Sequence, residues 1–84
     1  MLIVFQNKRT AVKSEMISVF DLVYEKIYAG IMFPNGYKTW LVGKYKDRDT
    51  AKFVYDELLR YYLDRASVFR APGIDFRAGE DDND

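Results

Sequence analysis

Eighty-four residues make at most one small domain, with thirteen Lys and Arg against thirteen Asp and Glu and a formal net charge of zero. A chain this short buries only about 60% of the surface its unfolded form exposes, and its single core supplies roughly 3–5 kcal/mol, so tight packing or a partner chain must make up the stability. The absence of Cys and His excludes disulfides, zinc sites built on those ligands, and Cys- or His-based nucleophilic catalysis.

The first run, "LIVF" at 2–5, suits a short buried strand. It is too brief, and has too little basic sequence before it, to be a secretory leader. No apolar run approaches the ~20 residues that span a bilayer, so a cytoplasmic protein with no membrane contact is expected. "QNKR" has turn composition, and "TAVK" at 10–13 returns as the second arm of a hairpin. After a break at Ser14-Glu15, "MISVFDLVY" at 16–24 is apolar on both parities. Ile17, Val19 and Val23 share one side with Asp21, and Met16, Phe20, Leu22 and Tyr24 share the other. That pattern predicts a central strand covered on both faces. One helix covers only one face, so the other is an exposed patch or is covered by the C-terminal segment or by another chain. A homodimer, or burial against a partner, is the expectation.

Glu25 is a turn position, and "KIYAGIM" at 26–32 is the next strand. "FPNG" at 33–36 is the strongest local signal, because Pro34 presets φ and Asn35-Gly36 tolerates the positive φ of a tight hairpin. "YKTWLVGKY" at 37–45 is its partner strand. Strict alternation places Lys38, Trp40, Val42 and Lys44 on one face, and Gly43 marks a bulge or a close backbone approach.

Asp47 is the predicted N-cap of a helix from about Arg48 to about Arg65, with Asp49 in the first turn, where its charge suits the helix dipole. At about 100° per residue, Val54, Tyr55, Leu58 and Tyr62 lie within ~60° of Ala51, and Leu59 and Tyr61 lie at the edges of that apolar arc. Leu63 falls outside it. Phe53 falls about 160° from Ala51 on the face shared with Arg60 and other charged residues. Phe53 is therefore a candidate interface residue, unless Phe69, Ile74 or Phe76 from the C-terminal arm folds over it.

The predicted organisation is α+β: an antiparallel sheet of four or five strands, one long C-terminal helix packed on one face, and then an extended arm. The domain spans 1–66. The arm and acidic tail span 67–84, with a turn at Pro72-Gly73. Glu80, Asp81, Asp82 and Asp84 concentrate negative charge at the end and leave thirteen basic against nine acidic residues over 1–79. That acidic segment either solubilises the chain, touches a basic partner or folds back on its own body.

Nothing here has the pattern of catalytic chemistry. The five glycines are scattered rather than gathered in a phosphate loop, and the tail lacks the glycine turn and distant Glu of a calcium loop. No cofactor and no metal are expected. The partner-binding candidates are Phe53, Arg60, Leu63, Trp40, Lys38, Lys44, Phe69 and Phe76. A ring between cations, as in Lys38, Trp40 and Lys44, is how single-strand binders stack bases. A nucleic-acid-binding regulator is thus one reading, and a sponge that holds a small nucleotide signal between protomers is another. A flat aromatic patch favours a protein partner, whereas a pocket with convergent Lys or Arg favours a nucleotide.

Three segments, "MLIVFQNK" at the start, "GKY" at 43–45 and the capped helix "DRDTAKFVYDEL" at 47–58, resemble a loose group of short proteins carried by phages and prophages of Gram-positive bacteria. The resemblance covers roughly residues 1–60 and transfers no site residue. It implies the sheet-plus-helix layout and a bacterial host. It also implies a non-enzymatic accessory protein that inhibits a host protein by occlusion, including defence systems such as CRISPR effectors.

Overall fold

The computed structural model describes residues 1–77; the acidic residues Glu80, Asp81, Asp82 and Asp84 lie outside the described residues. The fold is α+β, with two small sheets and one helix. Strands β1 (Leu2–Val4) and β2 (Ala11–Lys13) form the N-terminal hairpin. A single 3-10 turn at Ser14–Met16 then redirects the chain. Strands β3 (Val19–Val23), β4 (Lys26–Phe33) and β5 (Gly36–Lys44) form an antiparallel meander. Helix α1 (Arg48–Leu63) follows, and a last short strand, β6 (Val68–Arg70), pairs in parallel with β1.

The expected single sheet of four or five strands is corrected to two sheets of three, ordered β2-β1-β6 and β3-β4-β5. The 3-10 turn is the physical reason. It carries the chain off the end of β2, so β2 and β3 never become neighbours. Residues 67–77 also differ from the expected extended arm. Phe69 of β6 is buried and belongs to the core with Ile3, Ile27, Val42, Val54 and Leu58, so a boundary at residue 66 would cut through the core.

The strand at 16–24 was expected at the centre of its sheet. β3 instead lies at an edge, and β4 is central. The tight link Tyr24–Glu25 returns the chain directly into β4, with Val23 opposite Lys26. The second hairpin falls at Pro34–Asn35, where Phe33 pairs with Gly36. Gly36 takes φ +141°, a conformation that favours glycine.

α1 starts as its sequence predicts. The Asp47 side chain accepts a hydrogen bond from the Thr50 N–H at 2.7 Å, which satisfies one orphan donor of the first turn and holds the Asp47 carboxyl below the usual carboxylate range. The helix ends earlier than the expected Arg65. Arg65 has φ +58°, its N–H donates to Tyr62 O and the Ala66 N–H donates to Tyr61 O. This is a Schellman closure with Arg in the left-handed position that glycine usually takes.

The buried helix residues are Thr50, Ala51, Val54 and Leu58. Tyr62 was expected near the centre of the apolar arc but is about half exposed. The arc is rotated toward Val54 and Tyr61 because α1 packs on β6 as well as on β3 and β4. There the Tyr61 ring meets Phe69 edge-on, with centroids 5.2 Å apart.

Candidate functional site

Cross-strand partners share a face of a sheet, so the register of the meander defines its two sides. On the helix side stand Phe20, Leu22, Ile27, Ala29 and Val42, all buried or partly buried against the core. On the other side stand Val19, Tyr28, Met32, Tyr37 and Leu41, together with Asp21, Gly30 and Thr39. No element among the described residues covers this second side. Val19, Val23 and Leu41 are each about 40% exposed or slightly more, Met32 is 61% exposed and Tyr37 66%. A shallow depression of about 400 Å³ lies at its centre. Gly30 is its floor, because Val19 Cγ1 and Thr39 Cγ2 lean over the position a side chain would occupy, 2.8 and 3.2 Å from an ideal Cβ.

One end of this face is basic. Between Ile27 and Tyr28 the register with β5 shifts, so that Ile27 faces Gly43 while Tyr28 faces Leu41. Two residues of β5 thus oppose one of β4, a β-bulge. Gly43 is required there because the Tyr45 ring fills the space its Cβ would take, with Tyr45 Oη 2.8 Å away. Beyond the bulge the alternation of β5 is inverted, and Lys44 stands opposite Lys26 on the side of Tyr28 and Met32. Like charges directly opposite each other are destabilising, and neither lysine has an ion pair among the described residues.

At the same end, Tyr24 is 70% exposed and has φ +53°. For a bulky side chain this left-handed conformation is strained. The Arg48 guanidinium lies 5.9 Å from the centroid of its ring.

The residues singled out from sequence do not form one site. Lys38 and Trp40 share the helix side, with the Lys38 ammonium 5.4 Å from the Trp40 ring centroid. Lys44, expected beside them, is on the opposite face because of the bulge. The base-stacking arrangement of Lys38, Trp40 and Lys44 is therefore not assembled. Arg60 is engaged within α1 by Glu57 and Asp64 and lies over the Tyr61 ring. Leu63 is 76% exposed near the end of the helix. Phe69 is a core residue.

Phe53 and Phe76 do meet. Their centroids are 6.0 Å apart with a 30° tilt, so the chain's own C-terminal segment partly covers Phe53. That segment is held by a Lys46–Asp75 ion pair at 3.2 Å and an Arg77–Asp47 contact at 4.0 Å. Val19, Tyr24, Met32, Tyr37 and Leu41 were not singled out from sequence as binding residues. The available signal was the two-sided apolar pattern of residues 16–24, which carries Val19 and the uncovered face with it.

Fold and site together describe a small α+β domain with an uncovered apolar sheet face and a basic end. Comparisons with family models, with curated proteins and with solved structures returned no match to this chain. No helix among the described residues is long and apolar enough to cross a membrane.

Proposed function

We propose that this chain is a non-enzymatic, phage-type binding protein that inhibits a bacterial host protein by occlusion, with a defence protein such as a CRISPR effector as the target class. The uncovered face of β3, β4 and β5 carries this reading. Scattered exposed apolar residues are ordinary on a protein surface. A contiguous set including Val19, Tyr28, Met32, Tyr37 and Leu41 marks an interaction surface. Lys26 and Lys44 at its end, which form no ion pair among the described residues, suit a partner whose apolar patch is bordered by acidic residues. The phage and host context rests on the resemblance of residues 1–60.

A nucleotide sponge is the alternative. It is less favoured because the depression around Gly30 is lined by Asp21 and has no converging Lys or Arg. A second copy of this chain is also a weaker occupant. Antiparallel pairing of β3 with its twin about Asp21 would set two carboxylates opposite each other.

Capture from a Gram-positive host lysate, followed by mass analysis of both protein and small-molecule fractions, tests the proposal. One specific effector protein in the eluate supports it. A nucleotide released on denaturation, with no protein partner, overturns it.

A further inference from the structure

We infer a second, separate binding site: the groove between the free edge of β6 and helix α1 takes an extended acidic peptide segment of another protein by strand addition. The argument begins with the backbone. Leu2 N–H donates to Ser67 O and Ala71 N–H donates to Val4 O, each at 2.9 Å. In a parallel pair with this register, Ser67, Phe69 and Ala71 turn their polar backbone groups toward β1. Val68 and Arg70 must turn theirs the other way. β6 is the last strand of its sheet, and no hydrogen bond to the Val68 or Arg70 backbone forms on that side among the described residues. An unpaired edge of this kind is a template for an added strand.

The free edge is not flat against solvent. A groove of about 330 Å³ runs beside it, walled by Val68 and Arg70 on one side and by Phe53, Glu57 and Tyr61 of α1 on the other. Phe76 closes on Phe53 at the same groove. Main-chain pairing with β6 would hold a segment in register, and the aromatic walls would take one of its large apolar side chains. The charges choose between segments. Glu57 is neutralised by Arg60, whereas Arg70 is exposed and has no ion pair among the described residues. The uncommitted charge of the groove is positive, and it selects a carboxylate on the incoming strand. Phe69 faces α1, so the next residue, Arg70, projects from the opposite face of β6, and the strand period of two places that carboxylate an odd number of residues from the apolar anchor.

A displayed library of random decapeptides, panned on the full chain, tests this site, and the best binder is then synthesised. The selected sequences are expected to share a large apolar residue with Asp or Glu one or three positions away. Hydrogen exchange at the amides of Val68 and Arg70 is expected to slow when the synthetic peptide is added. N-methylation of the alternate peptide amides that face β6 removes main-chain donors and is expected to weaken binding about tenfold or more. Arg70→Glu leaves the core untouched and is expected to invert the preference toward Lys- or Arg-bearing peptides. The absence of an enriched motif overturns the inference, as does a bound peptide that leaves the Val68 and Arg70 amides unprotected. A concentration-dependent dimer that protects those amides without peptide assigns the edge to a second copy and also overturns it.

Discussion

The side-chain amide of Gln6 pairs with the main chain of Lys44 as a neighbouring strand would. Gln6 Oε1 accepts from Lys44 N–H at 3.0 Å, and Gln6 Nε2 donates to Lys44 O at 2.8 Å. The same Nε2 lies 3.0 Å from Pro72 O, and the Gln6 N–H donates to Val42 O at 2.8 Å. One residue thus ties the N-terminal sheet, the end of β5 and the C-terminal segment together, at the point where the two sheets would otherwise part.

Replacing Gln6 with Ala is expected to cost about 1–2 kcal/mol of stability, the scale of losing hydrogen bonds while leaving main-chain groups partly unsatisfied. Gln6→Glu is expected to be worse, because a carboxylate has no donor for Lys44 O or Pro72 O. Urea denaturation of the two variants beside the parent measures both effects and their order.

Tyr45 predicts an alkaline limit to stability. Its hydroxyl donates to Pro72 O at 2.8 Å and its ring is buried, and that burial pushes the phenol well above its ordinary pKa. The unfolded chain loses this proton near pH 10, whereas the folded chain retains it to higher pH. Stability from Tyr45 is therefore fully present below about pH 10 and is lost as pH rises beyond it. Unfolding free energy measured from pH 8 to 11 should fall along the upper part of that range. Tyr45→Phe should start lower, by about 1 kcal/mol for the lost hydrogen bond, and should show a flatter alkaline slope.

Features that depend on neighbouring residues were legible in the sequence. Asp47 as N-cap, the "FPNG" hairpin and the burial of Ala51, Val54 and Leu58 follow from local chemistry and helical spacing. Features that depend on distant residues were not. β6 is three residues long, and its strand character exists only because β1 lies alongside in parallel. Its packing through Phe69 and Tyr61 also turns the helix, bringing Phe53 within reach of Phe76 and moving Tyr62 outward. Lys44 was misplaced because one extra residue in β5 inverts the alternation after it. Gly43 gave notice of a bulge but not of its register. The surplus of apolar residues at 16–24 was visible, and it reflects an edge strand with an uncovered side.

Two residues in left-handed conformations separate a binding role from a structural one. Arg65 and Tyr24 both occupy positive φ, where glycine is less strained. Arg65→Gly should raise stability by about 0.5–1 kcal/mol without altering partner capture. Tyr24→Gly should also stabilise, by about 1 kcal/mol, but should weaken partner binding because the exposed ring at the basic end is lost. Thermal melts and capture yields of the two variants, run in parallel, distinguish these outcomes.

The basic end predicts the salt response of the complex. Lys26 and Lys44 stand opposite each other without ion partners among the described residues, so an acidic rim on the proposed target would relieve their repulsion. Lys44→Glu should slow association and flatten its dependence on ionic strength, since exposed charges act mainly through steering that salt screens. Association rates measured at about 0.05 and 0.5 M salt test this, with the parent showing the steeper fall.

The open face of β3, β4 and β5 is the proposed surface for the host protein. The most direct test compares host-lysate capture by the parent, by the double variant Met32→Asp with Tyr37→Asp, and by Leu63→Asp, after circular dichroism has shown that all three are folded. Capture of one host protein by the parent and by Leu63→Asp, with its loss from the double variant, is the predicted result. Equal capture by all three folded proteins would contradict the account.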